Sequence, residues 1–488
     1  MTSLTSDVRD APASEAGEAG KSPSDRVPVE AKAAYALGGT TDIFGHWLYN
    51  DFSNRVYNVL LGLSPSQVSL SLGVSRFIDA FTDPLFGWIS DNTRSRWGRR
   101  RPYILFGSVL AGLALPCLFM ASSNWSSDKI FWFMIISASL YAPLISAYNM
   151  PYQSLGAELT PDYNERTTVL SWKAVVQKVA GMLIAAGWWF ANCSLFKDQA
   201  TGKVDTLRGA VFATAIAGAI MIVSGIANFV FVRERYYERA RSQSKVSVRD
   251  MITSTFTCKP YLVLLATALV YAIPTGMINT LGWYVSTYYV FHGDLAVQSG
   301  FGFWGGVAYA GCGVAGVPVA AGLAKRFGKP LALTCTLFCG IVAFGSSWWL
   351  YDPAHPWGSV AQAGLNGFSA TGLWVVLPSM CIDVVDYDEL ESQQRREGAY
   401  SSVFSWVLKF GMSASMLILG PLLDRISGFD AKLGGNQTPE AIFTMRALFT
   451  GIPVAALIVA LVMVQLFPLT RERMQQIRAE LEARRGTV

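Results

Sequence analysis

The chain reads as an all-α membrane protein: twelve transmembrane helices arranged as two six-helix bundles. Three observations predict this. First, 52% of its 488 residues are hydrophobic and only 15% are charged, far less charge than a soluble chain of this length carries. Second, apolar runs long enough to span a bilayer recur along almost the whole length. Third, Lys and Arg crowd into alternate loops, and the longest basic loop falls in the middle.

The spans are expected at about 34–61, 66–91, 102–122, 128–156, 167–191, 208–232, 259–290, 296–325, 330–351, 357–384, 397–424 and 441–467. Residues 1–30, rich in Ala, Ser, Glu and Pro, read as a disordered tail and not as a secretory signal. Arg94, Arg96, Arg99, Arg100 and Arg101 follow span 2; Arg233, Arg235, Arg239, Arg241, Lys245 and Arg249 follow span 6. Lys325, Arg326 and Lys329 follow span 8, Arg395 and Arg396 follow span 10, and Arg471, Arg473, Arg478, Arg484 and Arg485 fill the C-terminal tail. The loops at 62–67 and 352–356 hold no Lys or Arg. The positive-inside rule then places both termini in the cytoplasm of an inner (plasma) membrane protein. The organisation is a tail at 1–30, a bundle at 31–232, a cytoplasmic loop at 233–258, a second bundle at 259–467 and a tail at 468–488. A weak repeat supports the division: Gly87-Trp88-Ile89-Ser90-Asp91 with Gly98 to Pro102, and Gly322 to Pro330, each close the second span of their half. Two such halves imply rocking about a central cavity.

Net charge is +5, but the basic residues sit in short loops between spans, which argues against nucleic-acid binding. The seven Cys form no CxxC pair, and Cys335 and Cys339 share a helix face in an apolar run, where they read as packing residues. No nucleophile–base set or metal motif appears on any loop, so the chain does not read as an enzyme and needs no cofactor.

Within span 2, Asp79 and Asp83 stand one turn apart in an apolar stretch. A charge at a bilayer centre costs about 2.5–3.5 kcal/mol on insertion scales. Spacing i, i+4 puts both carboxylates on one helix face, about 5–6 Å apart at Cβ. A proton or small hard cation between them relieves their repulsion. Pro84 lacks an N–H and frees the carbonyl of Ala80 nearby. The other reading of Asp79 is an ion pair with Arg76, three residues earlier on the same helix. Span 1 is also polar: Asp42 and His46 share one face, as do Asp51, Arg55 and Asn58. This stripe suits a cavity wall that binds hydroxyls or an anionic group; for Asp51 and Arg55 the alternative is an intrahelical pair.

The chain resembles the glycoside–pentoside–hexuronide:cation symporters, the melibiose permease group of the major facilitator superfamily. The resemblance is carried by Asp79-Ala80-Phe81-Thr82-Asp83-Pro84, the Gly87-to-Asp91 turn, Arg94-Ser95-Arg96-Trp97-Gly98-Arg99, Pro151 to Leu155 with Glu165-Arg166, Asp383-Val384-Val385-Asp386-Tyr387-Asp388-Glu389, Arg395 to Ser401, and Lys409. It implies symport of a sugar or glycoside with Na⁺ or H⁺ by alternating access. It implies cation ligands at Asp79 and Asp83, a liganding hydroxyl at Ser146, and at Asn149 an amide where the group has a third Asp. For substrate it implies Asp42, Asn149, Gln153, Trp374 and Lys409, although Gln153 replaces a sugar-stacking Trp. Thr82 replaces an Asn that favours Na⁺ in the group. Lys409, mid-span, must face protein or water, and its expected partners are the carboxylates of the N-terminal half. Asp91, Arg99, Glu158, Arg166, Asp383, Asp386 and Arg395, at cytoplasmic ends, suit a gate; the other reading is solvated loop charge. The expected state is a monomer. Two alternatives stand beside the sugar reading. One is the same scaffold carrying an anionic uronide, a sulfonated sugar or a lysolipid, which Arg55, Lys173 and Lys409 would favour. The other is a non-transporting sensor.

Overall fold

The computed structural model describes residues 26–160, 163–198, 202–234, 258–393 and 397–485. Most of the tail at 1–30, most of the central loop at 233–258, and Arg395 lie outside them, as do the side chains of Asp91, Glu158 and Arg166. Nothing but helices and connecting turns forms the core of the described residues. In chain order these are α1 (Val29–Ile43, continued by Phe44–Leu48, Tyr49–Ser53 and Asn54–Leu60), α2 (Pro65–Asn92), α3 (Arg101–Cys117), α4 (Ser127–Glu158), α5 (Tyr163–Ala191) and α6 (Thr206–Phe231). The second series is α7 (Lys259–Val285, continued by Ser286–Val290), α8 (Leu295–Phe327), α9 (Lys329–Leu350), α10 (Trp357–Thr371, continued to Ser392), α11 (Glu397–Pro421, continued to Ile426) and α12 (Pro439–Gln465).

Local chemistry sets the helix starts. Ser64 accepts the N–H of Gln67 while Gln67 Oε1 accepts the N–H of Ser64, a reciprocal cap with Pro65 in the first turn of α2. Ser126, Asp205, Asp294 and Thr438 each accept a backbone N–H with their side chain at the start of α4, α6, α8 and α12. Gly328, at φ +96, makes the turn from α8 into α9 that a side chain would strain.

Nine helices among the described residues, α4 to α12, are long and apolar enough to cross a membrane. The others fall short for identifiable reasons. α3 has only 17 residues, and α1 and α2 carry the polar groups described below. Apolar side chains face outward at helical spacing, as in Phe106, Leu110 and Leu113 of α3 and Trp132, Ile136 and Leu140 of α4. Such ridges need a lipid environment.

The packing repeats between the two series. In the first, α1 packs on α5 and α6, α2 on α4, and α3 on α4 and α6; in the second, α7 packs on α11 and α12, α8 on α10, and α9 on α10 and α12. The most extensive helix contacts between the halves are α2 with α11 and α5 with α8, and each is the counterpart of the other under the same exchange. Small residues permit the close approaches. A Cβ on Gly218 would lie 2.1 Å from the carbonyl oxygen of Gly112, so α3 and α6 touch backbone to backbone.

The joints between halves gather at the end bearing the α1–α2, α7–α8 and α11–α12 loops. Tyr284 of α7 donates its hydroxyl hydrogen to Asn58 Oδ1 at 2.6 Å. The N–H of Ser66 donates to Asp424 at 3.0 Å. Arg55 lies between the rings of Trp188 and Trp283, at 5.0 and 5.1 Å. Toward the opposite end, Lys32 pairs with Glu165 at 2.6 Å, Lys329 pairs with Asp383 at 2.7 Å, and Glu234 accepts the backbone N–H groups of Arg99, Arg100 and Arg101.

One element of the C-terminal tail goes unanticipated by sequence. Arg471–Arg485 forms a helix, α13, that buries Met474, Ile477 and Leu481 and packs against the last part of α10. Their spacing of three and four is the amphipathic signal that could have found it.

Candidate functional site

Asp79 and Asp83 occupy one face of α2, yet each carboxylate is held by a different cation. Arg76 Nη1, on the same helix, meets Asp79 Oδ2 at 3.3 Å. Lys409 Nζ, from α11 in the other half, meets Asp83 Oδ2 at 2.7 Å. The second oxygen of each carboxylate is buried and has no hydrogen-bond partner among the described residues. The set of two acids and two bases is formally neutral, and each acid keeps one oxygen to offer. Asp79 is 8% exposed, while the Lys409 side chain is 52% exposed. The lysine therefore reaches from a more exposed region to a more buried one.

Between the carboxylates on α2, Thr82 Oγ1 donates to the Ile78 carbonyl at 3.1 Å and shares a hydrogen bond with Ser146 Oγ of α4 at 2.9 Å. Ser146 thus lies against the acidic segment, whereas Asn149, one turn on, accepts from Gln153 Nε2 at 3.1 Å. On α1, Asp42 Oδ2 accepts from Gln177 Nε2 of α5 at 2.8 Å. His46 Nδ1 lies 3.3 Å from the Asp42 carbonyl. Lys173 of α5 sits 4.9 Å over the ring of Tyr152, and Lys178 5.6 Å over that of Tyr309. A polar wall therefore runs across α1, α2, α4 and α5, with Lys409 reaching it from α11. Trp374 lies in the other half, within the π-helical turn Gly372–Val376 of α10, 43% exposed, and does not join this hydrogen-bonded set.

π-helical turns recur at polar positions. Phe44–Leu48 contains His46, Asn54–Leu60 contains Arg55 and Asn58, and Leu422–Ile426 contains Asp424. Each extra residue per turn re-aims the side chains that follow it. The gate candidates fall as follows. Asp383 is buried and paired with Lys329, the backbone of Arg99 is tied to Glu234, and Asp386 is half-buried on α10. Asp51 and Arg55 form the intrahelical pair at 2.7 Å, and the guanidinium also bridges the halves through its two tryptophans. Sequence reasoning missed Gln177, Trp188 and Trp283. A glutamine or a tryptophan in an apolar span carries no signal of its own.

A family described as MFS/sugar transport protein matches residues 33–471. The chain belongs to this family. It is a multi-pass membrane transporter of the major facilitator fold and not an enzyme, and the resemblance to the glycoside–pentoside–hexuronide:cation symporters stands. Among its relatives, the uncharacterized symporter YnaJ of Bacillus subtilis (strain 168) is 25% identical, over 94% of this chain and 96% of its own. The putative glycoside/cation symporter YagG of Escherichia coli (strain K12) is 26% identical, over 93% and 95%. Among solved structures, the nucleoside transporter NupG superposes with a TM-score of 0.58 at 12% identity, covering 90% of this chain and 99% of that one. That likeness concerns the fold alone.

Proposed function

We propose that this family member is a secondary active transporter that moves a sugar, glycoside or related derivative together with Na⁺ or H⁺ by alternating access. The observation that carries the reading is the Asp83–Lys409 ion pair at 2.7 Å, which joins the two halves at the acidic pair. A cation that binds the carboxylates competes with Lys409 for Asp83. Occupation of the ion site is thereby linked to the contact between the bodies that must move. Linkage makes the effect reciprocal: a substrate that favours one arrangement of the halves alters cation affinity by the same factor. The relatives' names support sugar cargo, including a glycoside/cation symporter and an isoprimeverose transporter from Lactiplantibacillus pentosus.

In this account Asp79, Asp83 and the Ser146 hydroxyl serve the coupling ion. Asp42, with Gln177 holding it, and the Asn149–Gln153 pair offer hydrogen bonds to hydroxyls. Trp374 and Lys409 complete the cavity from the other half when it closes. In this reading the arginine-rich loops lie in the cytoplasm of an inner membrane, which makes the end bearing the α1–α2 and α7–α8 loops the extracytoplasmic one, and the protein works as a monomer. An anionic sugar derivative is favoured over a neutral one by a specific feature. Among the described residues Lys173 and Lys178 lie over aromatic rings and pair with no carboxylate. A glucuronide carrier homolog and a putative sulfoquinovose importer also stand among the relatives.

The test is a solute screen in proteoliposomes with neutral glycosides, uronides and sulfonated sugars, with and without an imposed Na⁺ or pH gradient. Accumulation of one class only under a gradient is expected. Equal uptake without any gradient would defeat the coupling.

A further inference from the structure

A small pocket separates α1, α2 and α4. It is lined by His46, Tyr49, Asn50, Arg76, Asp79 and Tyr141, among others. Four of these residues carry a buried polar atom with no hydrogen-bond partner among the described residues: Tyr49 Oη, Asn50 Nδ2, Asp79 Oδ1 and Tyr141 Oη. None of the four residues is more than 8% exposed. Native proteins hold few such atoms, and here three helices bring four of them to one pocket. The rings of Tyr49 and Tyr141 pack against each other, with centroids 5.7 Å apart.

The chemistry of the lining selects the occupant. Within this pocket, which Asp83 and Ser146 do not line, the Arg76 guanidinium and the Asn50 amide hydrogens repel a metal ion, while the Asp79 oxygen repels an anion. A group that both donates and accepts, and is no larger than a few atoms, satisfies all four. We propose that this pocket holds an ordered water that donates to Asp79 Oδ1 and depends on the Tyr49 and Tyr141 hydroxyls, with the Asn50 amide as a further donor. Buried waters typically make about three hydrogen bonds, and the lining supplies them. Tyr49, Asn50 and Tyr141 are then positioning residues. Through the water they fix the rotamer of Asp79, while Arg76 holds its other oxygen. The role given to Asp79 rests on the cation-site reading above; the water itself does not.

The experiment uses the full-length protein in lipid nanodiscs at a resolution that shows waters, together with the variant carrying Tyr49→Phe and Tyr141→Phe. The wild-type map should show a peak within hydrogen-bond distance of Asp79 and of at least one of the three positioning residues, and the variant map should lose it. A dry pocket, a peak coordinated only by oxygens that appears with NaCl, or a peak that persists without both hydroxyls overturns the proposal. Thermal stabilisation by NaCl, with choline chloride as control, supplies the second readout. Loss of an outer partner of an ion ligand shifts affinity by about tenfold or more, so the variant's Na⁺ midpoint should rise by about that factor. An unchanged midpoint overturns the positioning role. No Na⁺ response in the wild type would instead remove the reading of Asp79 as a Na⁺ ligand, and the maps alone would then decide the water.

Discussion

At the scale of single residues, Lys409 is the pivot. It crosses from α11 to hold Asp83, and about half of its side chain stays exposed. Screening limits what such a pair adds to stability. Lys409→Ala is therefore expected to cost only about 1 kcal/mol in stability, read as the shift in thermal unfolding. Its effect on transport should be larger. Without the competing ammonium the cation binds more readily to Asp83, but substrate accumulation against a gradient falls. Wild-type accumulation in Lys409→Ala would show that the pair is decorative. The acids were legible in the sequence because two charges one turn apart in an apolar span have few structural uses. Their partners were less so. The Arg76–Asp79 pair is local and follows from spacing, whereas the choice of Asp83 by Lys409 depends on how two distant helices pack.

Helix elements show the same division. The starts of α2, α8 and α12 follow from caps that are plain in the sequence, and the apolar runs mark α4 to α12 directly. The π-helical turns at His46, Arg55, Trp374 and Asp424 were not legible, because one extra residue in a turn leaves the apolar pattern almost unchanged. They matter since they set where those side chains point. Close helix contacts were equally silent. Gly112 and Gly218 look ordinary in their spans, but their backbones meet. Gly218→Val should force α3 and α6 apart and cost about 1–3 kcal/mol or more, seen as a lower unfolding temperature in detergent. An outward-facing change on the same helix, Val223→Ala, should have little effect, because Val223 is 59% exposed. Equal stability of the two variants would mean that the helices do not approach so closely.

For the whole molecule, the twofold pattern of packing follows from two series of helices with a long basic loop between them. A repeat this weak in sequence survives as geometry because each half needs the same helix contacts, while only the N-terminal half needs the acidic pair. Orientation is expected from the basic loops. A reporter inserted in the loop at 233–258 should read cytoplasmic, and one at 352–356 extracytoplasmic. Both on the same side would break the two-half account. The central claim is that the acidic pair couples an ion to the movement of the halves, and Asp83→Asn tests it most directly. The variant keeps the shape of the side chain and removes the charge that Lys409 and the cation share. In proteoliposomes carrying the substrate found by the screen, it should insert and equilibrate that substrate but fail to concentrate it under a Na⁺ or pH gradient. Accumulation equal to wild type would contradict the account.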